Sequence, residues 1–298
     1  MCIMTQRPRS FGLLARLDRR KPISGLDRAA TAVLLAAPLA ATVAAVALTF
    51  LRPGFFSWRD MAILGGFYVP AALGVTIGYH RMLAHRGFEA HPVVRGVLLV
   101  FGAWSIQGGP LSWAAVHLKH HSFSDKELDP HSPAAKSLFH AHMGWLFSAE
   151  RPEPEAFARA QMADPVARFV GRTAFWWAVL GLALPFVFGG WSGFLWGGLV
   201  RVFLVHHVTW SVNSVCHRFG SRPFRTGADR STNNLLVGLI ALGEGWHNNH
   251  HAFPRSAFHG LRWKEIDVSG YAIRLMGILR LASNIYRVPG DVVAARRG

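Results

Sequence analysis

Residues 117–121 read HLKHH and residues 247–251 read HNNHH, the second inside the longer stretch EGWHNNHHAFP from Glu244 to Pro254. On an α-helix, residues four apart are nearly eclipsed, while neighbours are rotated by about 100°. His117 and His121 then share a face, as do His247 and His251, whereas His120 and His250 point elsewhere. One metal ion can take each pair. Two such motifs facing each other suit two ions, with each motif lending its odd histidine to the ion held by the other.

More histidines follow the same logic. HRMLAH (80–85) places His80 and His85 where one apolar run ends, and NSVCH (213–217) places His217 where another ends. A single H-x-x-H-H motif is as often structural as ligating, but four clusters at the ends of apolar runs point to one metal face. Imidazole suits iron, zinc and copper, and the two cysteines, Cys2 and Cys216, are too far apart for a thiolate site or a disulfide framework. Nine ring nitrogens exceed the four ligands a zinc site needs, so the reading is dinuclear, with iron as the redox metal. Zinc is expected to replace iron readily on overexpression. Of the other seven histidines, His131 in DPHSP reads as a supporting group near the metals. His91, His140, His142, His206, His207 and His259 read as headgroup, core or supporting residues.

The apolar runs set the fold class. The chain is 51% hydrophobic and 16% charged, against about 25% charged for a soluble domain. Runs 29–51, 61–79, 173–190 and 191–216 are each long enough to cross a hydrocarbon core of about 30 Å. Short turns join them in pairs, so the expectation is an all-α membrane protein with four transmembrane helices in two hairpins. Residues 96–116 are uncharged too, but a fifth crossing would split the histidines between two sides. They are therefore expected as an interfacial or re-entrant helix. Residues 80–172 and 217–298 then form a helical cap carrying the dimetal site. The net charge of +16 lies almost wholly on the cap side, with only Arg52 and Arg59 in the opposite linkers. The positive-inside rule makes the cap, both termini and the metal site cytoplasmic. Residues 1–28 read as a basic cytosolic segment that can touch anionic headgroups. The run after them is too long for a signal-peptide core. No zinc-finger or helix-turn-helix pattern accompanies the charge, so nucleic acid is not an expected partner.

At these residues the chain resembles the membrane fatty acyl desaturases of the stearoyl-CoA, delta-nine type, and among them a bacterial member set in the inner membrane. The matching motifs are GYHRMLAHRGF (78–88), WAAVHLKHHSFSDKELDPHSP (113–133), HMGWLF (142–147), NSVCHRFGSRPF (213–224) and STNNLLVGLIALGEGWHNNHHAFP (231–254). The resemblance implies a diiron enzyme that uses O2 to place a cis double bond in a saturated acyl chain. It implies one ion held by His80, His85, His117, His121 and His250. The other would be held by His120, His217, His247 and His251, with Asn213 reaching it through a water. Glu244, Asp125 and Asp129 are expected either to orient ligands or to be ordinary surface or helix-start carboxylates. Gln107 and Trp113 match the positions that line the bend of the acyl tunnel, and Trp145 is a further substrate contact.

One departure stands out. Ala115 and Val116 occupy the positions of an Arg-Asp pair that helps hold CoA in the animal enzymes. The acyl carrier is therefore either CoA, with Arg222 and Arg225 compensating, or a glycerolipid. No haem-protein domain accompanies the motifs, so electrons are expected from a separate ferredoxin or haem protein with its NAD(P)H reductase. Two rival readings are a histidine-box lipid hydroxylase or oxygenase, which would yield an alcohol, and a membrane metal-handling protein. The latter would want ionisable ligands near the membrane midplane, where only Arg201, His206 and His207 fall within a run.

Overall fold

The computed structural model describes residues 23–148 and 151–297, so the expected basic segment 1–28 lies mostly outside the described residues. Helix α1 spans Gly25–Leu51 and α2 spans Trp58–Leu73. Each begins with a reciprocal capping box, Ser24 with Asp27 and Ser57 with Asp60, which satisfies two orphan backbone donors at each start. Helix α2 runs on without a break as a π-helix over Gly74–Ala84. Helices α3 (Pro92–Trp104) and α4 (Pro110–Phe123) follow.

After short helical pieces between His140 and Arg172 comes α5, Ala174–Gly193, then a π-helical stretch Phe194–Val200 and α6, Arg201–Ser214, which ends in a single 3-10 turn at Val215–His217. Among the described residues, three helices are long and apolar enough to cross a membrane: Gly25–Leu51, Trp58–Ala84 and the 44-residue Ala174–His217. The last would be about 66 Å long if straight. It is not straight: Gly190 takes φ 61° and ψ −146°, a backbone open to glycine, and the chain folds back there. A Cβ on Gly193 would meet the Pro185 carbonyl at 2.1 Å. The Arg201 guanidinium donates to Gly181 O at 2.9 Å across the same pair.

Arg201 is fully buried in this apolar setting and is satisfied by carbonyls alone, those of Gly197, Gly181 and Trp104. It thereby ties α5, α6 and α3 together. At the opposite end, Arg59 donates to Phe188 O and Ser192 donates to Asp60. The α1–α2 turn and the Gly190 fold-back thus lie at one end of the bundle.

The stretch expected as one interfacial helix over 96–116 divides in two. Ile106 (φ 56°) and Gly108 (φ 94°) are left-handed, and Pro110 opens α4 as a first-turn residue that needs no hydrogen-bond donor. Helix α3 packs closely on α2: a Cβ on Gly74 would sit 2.1 Å from the Gly102 backbone nitrogen.

The remaining chain is held by short elements: α7 (Leu235–Ile240), α8 (His247–Ala252) and α9 (Val268–Ile278). Sheet is confined, among the described residues, to an antiparallel pair joining Glu89–Ala90 (β1) to Ala282–Ser283 (β2). The main apolar core includes Ile77, Leu83 and Leu99, and from α4 and α9 it takes Ala114, Ala115 and Ile273.

Candidate metal centre

The first histidine box depends on the π-helix. In an α-helix, residues five apart are about 140° out of register. A π-turn bonds i to i+5 instead, and the His85 amide donates to the His80 carbonyl at 3.0 Å. His80 and His85 therefore converge. With the histidines of α4 and α8, and with His217 of the turn after α6, they form two sets of side chains.

His80, His85, His117, His121 and His250 bring ligand nitrogens within 4.8 Å of one another, and so do His120, His217, His247 and His251. In the first set, Nε2 of His80 is 3.1 Å from Nε2 of His250, and the His85–His117 and His121–His250 distances are 2.6 and 2.9 Å. In the second, His217–His247, His247–His251 and His120–His251 are 3.0, 3.1 and 3.3 Å apart. His120 joins the α8 pair and His250 joins the α4 pair, so the odd histidines cross.

The outer nitrogens show what the inner ones are free to do. Nδ1 of His80 faces Glu244 at 2.5 Å, that of His120 faces Asp129 at 2.9 Å, and that of His217 faces Asp125 at 2.9 Å. Nδ1 of His251 pairs with Asp229. A neutral imidazole that donates from Nδ1 keeps a lone pair on Nε2. Lone pairs facing each other near 3 Å repel, and a cation between them removes the conflict. The donor set therefore fits two metal ions, each with the carboxylate–histidine support typical of metal sites.

Titration behaviour agrees with this arrangement. Burial, reinforced by neighbouring imidazoles, holds His85, His117, His121, His247 and His250 well below the ordinary histidine value. Burial also takes His251 down to about 4 against the pull of Asp229. His120 is the exception: Asp129 outweighs its burial and raises it. Burial would lift Asp125, Asp129 and Asp229, yet the facing imidazoles keep all three below the usual carboxylate range.

Several participants were not legible as such. Arg81 is fully buried and clamps Glu244 through Nε (3.1 Å) and Nη2 (2.9 Å) while reaching Asp267 at 2.9 Å. Asp229 lies in an irregular loop and has no spacing signal. His259, read from sequence among the headgroup, core or supporting histidines, packs 4.5 Å from the His250 ring with its Nδ1 3.6 Å from Glu244, and neither ring nitrogen has a hydrogen-bond partner among the described residues. His131 sits against His120 (4.5 Å) and Trp145 (5.4 Å). The remaining histidines stay apart: His206 bonds Ser105 O, His140 bonds Pro130 O, His142 pairs with His207, and His91 caps α3.

A narrow apolar cavity runs from the metal face between α2 and α6 to Tyr68. It meets an outer cavity at Trp113, His117, Thr209 and Asn213. At the junction the Trp113 indole donates to Gln107 (3.2 Å), and Gln107 donates to Thr209 (3.1 Å). The Trp113 ring stacks on His117 at 5.0 Å. Trp145 lines the outer cavity, which opens beside Thr31 and Leu34 of α1, with Arg151 as the cation among its lining residues. Ala115 has no exposure and lies in the core, so only Val116 of that pair reaches the cavity wall. A separate polar cleft, walled by Arg86, Arg95 and Arg255, reaches His85 from another side.

Comparison with known proteins agrees with this geometry. The family model described as fatty acid desaturase matches residues 58–265. The chain is 40% identical over 243 residues to an sn-1 stearoyl-lipid 9-desaturase of Anabaena variabilis, covering 80% of this chain and 88% of that protein. It is 39% identical over 250 residues to an acyl-CoA C20 Delta5-desaturase of Anemone leveillei, covering 82% and 79%. It is also 38% identical over 256 residues to a hex-5-enoyl-[acyl-carrier protein] acetylenase of Moorena producens, covering 79% and 78%. The chain with these facing histidine sets belongs to the fatty acid desaturase family and is an oxidoreductase.

Proposed function

We propose that this protein uses O2 to introduce a cis double bond, at the ninth carbon, into a saturated acyl chain at a histidine-held diiron centre. The observation that carries the reading is that histidines of both sets, His80 and His117 of one and His120 and His247 of the other, line the apolar cavity. The ninth-carbon assignment draws on the relative named a 9-desaturase. His80, His85, His117, His121 and His250 would hold one iron, and His120, His217, His247 and His251 the other, with Asn213 reaching the second through a water. When bound, iron supplies the O2-dependent oxidation that takes two hydrogens from neighbouring methylenes. Such C–H bonds carry no acidic proton, so no side-chain base is assigned to that work.

The residues of the chain do the positioning, which decides which carbons react. The Trp113–Gln107–Thr209 contacts fix the bend of the acyl chain, and Trp145 lines its approach. Glu244, Asp125, Asp129 and Asp229 fix ligand tautomers, and His131 packs beside His120. The arginine-walled cleft at His85 gives a separate electron-donor protein an approach that the acyl cavities do not occupy.

The fold-back at Gly190, level with the α1–α2 turn, supports four spans in two hairpins. The cap and both termini would then lie on the basic, cytoplasmic side. Product analysis of a host expressing the chain tests the function. New monounsaturated acyl chains are expected, whereas hydroxylated chains would identify an oxygenase instead. Labelled acyl-CoA and labelled phospholipid, offered in parallel to purified enzyme with O2 and a reduced donor, identify the acyl carrier.

A further inference from the structure

The second half of the cap is more apolar on its outside than a water-facing cap should be. Helix α7 is LLVGLI, with Val237 and Gly238 buried and Leu235, Leu236, Leu239 and Ile240 exposed, Leu236 by 68%. Helix α9 buries Ser269, Gly270 and Ile273. Its outward stripe is Val268, Tyr271, Leu275 and Ile278, with Leu279 just beyond, and Ile278 is 72% exposed. Spacings of three and four make this one continuous face. Trp263, just upstream, is 93% exposed. No acidic residue occurs from Val268 to Gly290, while Arg274, Arg280 and Arg287 do.

Two hydrogen bonds fix where these helices sit against the membrane-crossing helix Trp58–Ala84. The Tyr68 hydroxyl, near the middle of that helix, donates to the Ile240 carbonyl at 2.8 Å. Thr76 and Ser269 share a hydroxyl–hydroxyl bond of 2.8 Å. The two helices are also joined directly, since the Ser269 amide donates to Leu242 O and the Trp246 indole donates to Ile266 O. Their exposed faces therefore lie beside that helix.

We infer that α7 and the outward face of α9 are inserted in the bilayer as a collar, with lipid acyl chains covering Leu236, Leu239, Leu275 and Ile278. Helices with an apolar outward face are stable where the surrounding solvent is apolar too. Arg274 and Arg280, at the edge and end of the stripe, are placed to meet anionic headgroups. The cap is then not wholly aqueous, and the wall of the acyl cavity at Ala241 is backed by lipid rather than water. This inference rests on the membrane reading of the proposed function, and its test separates the two.

Nitroxide labels are placed at Leu236→Cys and Ile278→Cys in a Cys2→Ser background, with Cys216 buried and left in place. Val43→Cys on α1 is the lipid reference, and Glu127→Cys is the aqueous one. In nanodiscs of anionic phospholipid, both collar labels should collide with O2, and their collision with a nickel chelate should fall to the Val43 level. Chelate access at the Glu127 level, with Val43 still protected, overturns the collar alone. Chelate access at Val43 as well overturns the membrane reading. Exclusion of both reagents from the collar labels would mean that a second protein surface covers it, which also overturns the inference. Unmodified protein gives an independent check. A photoactivatable diazirine phospholipid should label peptides holding residues 235–240 and 268–279 along with α1, and labelling of α1 only contradicts the collar.

Discussion

At the scale of single residues, the account places the metal chemistry in nine imidazoles and their partners. His120 and His250 are the sharpest test because each crosses to the set built on the other helix. Replacing either by Ala should abolish desaturation while the protein remains inserted in the membrane, and His207→Ala should be far milder because His207 pairs with His142 away from both sets. Full activity of His120→Ala, measured as monounsaturated product, would refute the crossed arrangement. Glu244→Gln leaves an isosteric group that no longer offers a carboxylate to His80. Loss of such a partner typically weakens metal binding by about 10–100-fold. Metal titration of the purified variant should show that weakening at one ion and little at the other. The histidines were legible because chemistry restricts what such clusters can do. Glu244, Asp125 and Asp129 were named from the motifs, but their partners were not. Arg81 lies inside HRMLAH with no spacing signal of its own, and Asp229 is brought to His251 by a loop that no periodicity describes.

At the scale of elements, helical periodicity paired His117 with His121 and His247 with His251, and it set His120 and His250 apart. The same rule fails at HRMLAH, since five-residue spacing aligns two side chains only on a π-helix, which single-sequence patterns do not announce. The break between α3 and α4 was signalled by Gly108, Gly109 and Pro110, yet the apolar run around them masked it. Close packing of α2 on α3 is also invisible in sequence, and it yields a paired prediction. Gly74→Ala would push a methyl into the Gly102 backbone, whereas Gly65→Ala on the same helix meets nothing within 4 Å. Overpacking of this kind costs about 1–3 kcal/mol. Thermal unfolding in detergent should therefore show a lowered midpoint for Gly74→Ala. Gly65→Ala should be unchanged or raised, since Ala is the better helix former by about 1 kcal/mol.

At the scale of the whole molecule, hydropathy located to within about five residues the helices that are long and apolar enough to cross a membrane. It divided 173–190 from 191–216, and the helical segment Ala174–His217 is broken at that point, at Gly190. Basic residues cluster on the cap side, which sets the orientation. Reporters at the two ends should lie in the cytoplasm, and one in the turn at residues 52–57 should lie on the opposite side; a reporter there on the cytoplasmic side would undo the hairpin topology. The central claim is that two ions sit between the facing histidine sets and do the oxidation. Elemental analysis of purified, catalytically active protein tests it most directly. The account predicts two iron ions per chain, with product formation scaling with iron content; an active, well-folded sample holding one metal ion, none, or zinc in place of iron would contradict it.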